Sequence, residues 1–67
     1  MKYDFGDALQ LAATLKPCEV VGITHVASVQ QAQVLNIPLG TVLYTVEFCD
    51  GSDALVREDE LEAFAPR

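Results

Sequence analysis

Tryptophan is absent from these 67 residues, histidine and methionine occur once each, and only four side chains are basic. Each scarcity excludes something. One histidine, His25, and two cysteines, Cys18 and Cys49, form no Cys-x-x-Cys pair, so no metal-ligand spacing can be written. No nucleophile–base set with a third orienting group is marked, and no catalytic or cofactor motif occurs, so neither enzymatic activity nor a cofactor is expected. No apolar run approaches the roughly 18 residues that span a bilayer. The opening MKYDFGD lacks the apolar region of a signal peptide, which makes the cytoplasm the expected location. In that reducing setting Cys18 and Cys49 are expected to be free thiols behaving as small hydrophobes. A disulfide would need their Cα atoms within roughly 7 Å, which the sequence leaves open.

What is present is acid and apolar bulk. Ten acids against four bases give a net charge of −6. Such a chain repels phosphate backbones and anionic lipid surfaces, so nucleic acid and membrane are not expected partners. A basic protein face is the electrostatically favoured one. The hydrophobic fraction of 51% suits a real core rather than disorder. The chain reads as one domain over residues 1–67. A domain this short buries only about 60% of the surface its unfolded chain exposes. Its core supplies no more than ~3–5 kcal/mol net, so support from a partner or from a homo-oligomer fits the arithmetic.

Periodicity gives the elements. Leu9, Leu11 and Ala13 alternate with Gln10 and Ala12, predicting a first strand over Ala8–Thr14 that Lys16-Pro17 breaks. The aromatic pair in Tyr3-Asp4-Phe5-Gly6-Asp7 is expected to anchor an entry turn. Glu19–Val26 is rich in β-branched residues, with Gly22 as an expected bulge. Ser28 followed by Gln31 fits a capping box and opens a short helix over 28–35, with Val29, Ala32 and Leu35 on one face. Asn36-Ile37-Pro38-Leu39-Gly40 ends it. Thr41–Phe48 is the strongest strand, with Val42, Tyr44, Val46 and Phe48 on the core side and Thr41, Leu43, Thr45 and Glu47 on the other. Asp50-Gly51 signals a hairpin and Ala54–Arg57 the return strand. Glu58-Asp59-Glu60-Leu61 suits a one-turn helix, and Glu62–Ala65 a last strand ended by Pro66.

Tyr44-Thr45-Val46-Glu47-Phe48, then Asp50-Gly51, then Val56-Arg57-Glu58 and Leu61-Glu62, resembles the closing half of small bacterial SH3-like barrels. Tyr3-Asp4-Phe5-Gly6-Asp7 resembles their entry. The likeness covers about half the chain and implies a mainly β barrel of about five strands. Among such barrels the chain resembles two groups, the toxin-immunity proteins and the NifZ-like accessory barrels of metalloenzyme assembly. It departs from both in the Ser28–Leu35 insertion, and it has no tryptophan or cysteine-rich signature.

The expected function is a protein-binding module, of the immunity type, that neutralises a basic toxin by direct contact. The alternative is an accessory barrel for assembly of a larger metalloenzyme complex. The expected contact residues are the acids Asp50, Asp53, Glu58, Asp59, Glu60 and Glu62, with Tyr44, Leu35, Ile37 and Leu39 as apolar anchors. The competing reading of the acids is a solvated face that only keeps the chain soluble.

Overall fold

The computed structural model describes residues 2–64. Five antiparallel strands form one sheet: β1 (Ala8–Leu11), β2 (Pro17–His25), β3 (Val42–Phe48), β4 (Asp53–Arg57) and β5 (Leu61–Ala63), in the order β4-β3-β2-β1-β5. The chain thus has the mainly β arrangement of five strands expected, with one inserted helix, α1 (Val29–Leu35), and a 3-10 turn over Glu58–Glu60. Ala65, the expected end of the last strand, and Pro66, expected to stop it, lie outside the described residues. Among the described residues no helix is long and apolar enough to cross a membrane.

β1 stops three residues before the predicted end. Alanine has little strand preference, and the chain instead reverses through Ala12–Thr14, with the Leu15 amide donating to the Leu11 carbonyl at 2.8 Å. Leu15 takes φ 60° to complete this turn. Pro17 does not break a strand but opens one, opposite Gln10. That is a position where a missing N–H costs no ladder bond.

The bulge falls at Gly22. Register shifts between Val20 and Gly22, so Val21 is the extra residue, and Ile23 returns to the core side opposite Tyr44. A Cβ at Gly22 would lie 3.2 Å from the Thr45 Cβ, so the close crossing of β2 and β3 favours glycine.

The alternation in β3 sets the core. Tyr44 and Val46 are wholly buried, and with Leu9, Cys18, Val20, Phe48 and Leu61 they form one cluster. Val42, Ile23, Val56 and Tyr3 pack against it. One side of the pattern fails at Leu43, predicted to face outward and found buried. It is buried with Val26 outside the main cluster, at the end of the sheet where the insertion leaves and returns. There the Gly40 amide donates to Val26 O, and the Val26 amide donates to Thr41 O. Phe5 also departs from expectation: only Tyr3 anchors the entry turn, and Phe5 is exposed.

The Asp50-Gly51 turn closes the β3–β4 hairpin, with the Phe48 amide donating to Ser52 O at 2.8 Å. Gly51 sits at φ 86°, and a Cβ there would meet nothing within 4 Å. Any penalty for a side chain is therefore purely conformational. Gly51→Ala is expected to lower stability by about 1–2 kcal/mol, the usual left-handed penalty. Gly51→Asn should lose less. Urea midpoints of the two variants, with unchanged slopes, check this.

Candidate functional site

Tyr44 is not a contact residue but the centre of an internal clamp. It is 0% exposed, so no partner can reach it. Its place on the apolar side of β3 carries the ring into the core, edge-on to Tyr3 with centroids 5.6 Å apart. Its hydroxyl donates to Glu58 Oε2 at 2.7 Å and accepts from the Lys2 and Tyr3 amides, each at 3.2 Å. Glu58 Oε2 also accepts from the Lys2 amide at 3.1 Å. The Tyr3 hydroxyl donates to Leu61 O. One tyrosine and one carboxylate thus pin the N-terminal arm to β3 and to the 3-10 turn.

The clamp leaves a titration signature. The Tyr44 hydrogen bond holds Glu58 below the usual carboxyl range. Burial, together with the Glu58 carboxylate, pushes the Tyr44 phenol up. The stability Glu58 contributes is full above the ordinary carboxyl pKa and lost as pH falls through its lowered folded value. That of Tyr44 is full below the ordinary phenol pKa and lost as pH rises through its raised folded value. Stability should therefore be flat between about pH 5 and 9 as far as this pair is concerned. It should decline on both sides, and Tyr44→Phe should flatten both limbs. Urea midpoints measured across pH test it.

The acids singled out by sequence fall into two groups. Asp50 is committed to the hairpin turn: its Oδ1 accepts from the Ser52 amide at 3.0 Å and the Ser52 hydroxyl at 2.6 Å. Those bonds hold its carboxyl below the ordinary range. Asp53 starts β4 beside it. At the other end of β4, Glu60 Oε2 accepts from the Arg57 amide at 2.7 Å, and Asp59 lies 3.6 Å from Arg57 Nε. Glu62 on β5 accepts from Gln10 Nε2 at 2.7 Å. Five residues of strand separate Asp53 from Glu58, about 17 Å. That exceeds a Debye length of about 10 Å, so the groups act as separate patches rather than one.

Sequence reasoning missed a third arrangement. Glu47 of β3 stands directly opposite Glu19 of β2 on one side and Asp53 of β4 on the other. Directly paired residues share a face, with Cβ atoms about 4.5–5.5 Å apart. Three exposed carboxylates therefore cross three adjacent strands in a row with no base at the paired positions, though Lys16 is close enough to act on the neighbouring Asp50. Lys16, the nearest base in sequence to Glu19, has its ammonium over the Phe48 ring, 4.3 Å from the centroid. For the Glu47–Asp53 half, counting outward from Asp50-Gly51 as a two-residue turn would pair Glu47 with Ala54; the observed turn is one residue longer, with Phe48 bonded to Ser52, and it is this that sets Glu47 opposite Asp53. The Glu19 half required the β2–β3 register across a bulge, and local sequence does not carry that.

The apolar anchors named from sequence other than Tyr44 lie on α1 and in the loop that follows it. Leu39 is exposed, Leu35 marginally so, and Ile37 half-buried. Val34 and Val29 are more exposed still, at 78% and 63%. The capping is nearly as predicted: Ser28 Oγ accepts from the Gln31 amide at 3.1 Å. The return bond shifts by one residue, with Gln31 Oε1 accepting from the Ala27 amide at 3.3 Å rather than from Ser28. Asn36 closes the helix at φ 55°, and the Ile37 amide donates to Ala32 O at 3.1 Å. Yet no residue of α1 is buried.

The remaining chemistry-bearing side chains stay apart. His25 is exposed at the end of β2 and pairs with Val42. Cys18 is buried and Cys49 exposed, both as free thiols, and burial raises the Cys18 pKa. No group of three histidine, cysteine or acidic side chains that could hold a metal gathers among the described residues. No protein-family model, curated protein or solved structure matches this chain.

Proposed function

We propose that this chain is a non-enzymatic module that docks a basic protein, of the immunity type that blocks a basic toxin by direct contact. The observation that carries this reading is the Glu19–Glu47–Asp53 row. Like charges placed directly opposite each other destabilise a sheet by about 0.2–1 kcal/mol per pair. A face that serves only solubility has no reason to line them up. A row of carboxylates on a stiff three-stranded platform matches a lysine- or arginine-rich surface, and it accelerates encounter with one. Glu58, Glu60 and Glu62 have intramolecular partners, as has Asp50 at the hairpin tip, so the weight of docking moves to the row.

The test is isolation of the chain from its native cells at low ionic strength. A basic protein should accompany it, leave in high salt, and be absent when Glu47 and Asp53 are both replaced by lysine. The double variant Asp59→Lys, Glu60→Lys, at the far end of β4, should retain it. A chain that emerges alone at low salt, or a complex indifferent to Glu47 and Asp53, overturns the reading. The accessory-barrel reading requires instead that metalloenzyme maturation proteins accompany the chain.

A further inference from the structure

The outer edge of β4 is open over part of its length. Among the described residues β4 pairs with β3 alone, so no strand lies along its other edge. At the turn, the Phe48 amide donates to Ser52 O. In an antiparallel pair, residues bonded in this way alternate with residues whose backbone groups point away from the partner. Ala54 and Val56 therefore bond to β3, while Asp53, Leu55 and Arg57 point their amides and carbonyls outward. The Arg57 amide is already taken by Glu60 Oε2, which sits where the carbonyl of an added strand would lie. Among the described residues no such bond holds the Asp53 and Leu55 amides. Both side chains are exposed.

We propose that an extended basic segment of the docking partner adds to this edge as a further strand, pairing through Asp53 and Leu55. This rests on the docking reading above and names the form in which the basic partner arrives. Strand addition draws affinity from main-chain bonds and specificity from alternate side chains. Paired antiparallel, two residues of the added strand, one position apart, exchange bonds with Asp53 and Leu55. The side chain opposite Asp53 falls on the face of the acid row and lengthens Glu19–Glu47–Asp53 by one place. A lysine or arginine there meets a carboxylate that has Glu47 on its other side, and it offsets the repulsion within the row. The side chain opposite Leu55 meets a large apolar residue that is 50% exposed. Read from its N-terminus, the segment is therefore an apolar residue, any residue, then a basic one.

Charge selects this occupant over a second copy of the chain. Sheet edges are commonly guarded by charged side chains, proline or a bulge. Here the guard is Asp53, which repels an acidic strand and attracts a basic one. Two β4 edges paired antiparallel use both open residues of each copy only when Asp53 of one faces Leu55 of the other. That register sets the two acid rows about 7 Å apart along the strands, with no opposite charge directly facing either aspartate. It does so on chains that each carry a net charge of −6. Sliding the register until Asp53 faces Arg57 drives the second strand onto the Glu60 carboxylate. A basic segment meets neither obstacle.

Amide hydrogen exchange of the purified full chain, with and without a short acetylated peptide built around valine-threonine-lysine, tests this. Two residues of pairing bind weakly, so the titration runs to millimolar peptide. In the free chain the Asp53 and Leu55 amides should exchange freely, and those of Ala54 and Val56 should be protected. Peptide should protect the first two and change the last two little. N-methylation of the peptide at its valine and lysine keeps the charge and removes both donors. It should raise the dissociation constant by about tenfold or more. Leu55→Pro removes an outward N–H without breaking the ladder to β3, so it should keep the wild-type circular dichroism and weaken the peptide similarly. The proposal fails if the peptide leaves Asp53 and Leu55 unprotected, or if the methylated peptide or Leu55→Pro binds as well as the unmodified pair. It fails equally if those amides become protected at high chain concentration without peptide, which assigns the edge to a second copy. Binding lost in the double variant Glu47→Lys, Asp53→Lys but kept in Leu55→Pro sinks strand addition and leaves docking by the row standing. Binding kept in both sinks the docking reading as well.

Discussion

Replacing Tyr44 with alanine is expected to leave the chain unfolded in water at 25 °C. The side chain is wholly buried at the centre of the main cluster, and truncating an aromatic there costs about 3–5 kcal/mol. A single core of this size supplies about that much in total. The same substitution strands Glu58 and removes the acceptor of two backbone amides, so the N-terminal arm loses its attachment as well. Tyr44→Phe separates the two effects. It keeps the ring and deletes the hydroxyl, at an expected cost of about 1–3 kcal/mol, and it should remain folded. Far-ultraviolet circular dichroism and urea titration distinguish the outcomes. A cooperative transition near the wild-type midpoint in the alanine variant would place the core elsewhere.

Glu47→Lys is expected to move stability and docking in opposite directions. Lysine at 47 turns two repulsive cross-strand pairs, with Glu19 and with Asp53, into attractive ones. At the usual scale for such pairs the gain is about 0.5–2 kcal/mol. The same change removes the middle of the acid row, so association with a basic partner should slow by about tenfold or more and lose much of its salt dependence. Stopped-flow association and urea unfolding on the same variant read both quantities. A face that is merely solvated would yield the stabilisation with no change in association. A row without mutual repulsion would yield neither.

The fold was legible where its determinants are local. The hairpin followed from a glycine that must take positive φ, the helix from a serine and an asparagine at its ends, and the bulge from a glycine inside a β-branched run. Predictions failed where a distant residue decides. Ala13 continued the alternation of β1, yet strand ends depend on which neighbour is still available for pairing. Leu43 read as solvent-facing because alternation assigns the outer side from the strand alone, and burial on that side is decided by residues outside the strand. Tyr44 carried a conflict visible from the start, since the alternation that placed it in the core also forbade it to be a surface anchor. The candidate site was less legible than the fold. The acids were all visible, but a row spanning β2, β3 and β4 exists only through non-local register.

The position of β1 has a consequence for synthesis. It lies between β2 and β5, so one of its edges is satisfied by residues 17–19 and the other only by residues 61–63. Tyr3 likewise waits for Leu61, and the amides of residues 2 and 3 wait for Tyr44. No stretch emerging early from a ribosome can complete this sheet by itself. Until Leu61–Ala63 are free of the exit tunnel, Leu9 and Val20 belong to an unfinished core with an open strand edge. Such non-local closure makes folding slow relative to helical chains of equal length. The nascent chain is open to misassociation for as long as that closure is delayed.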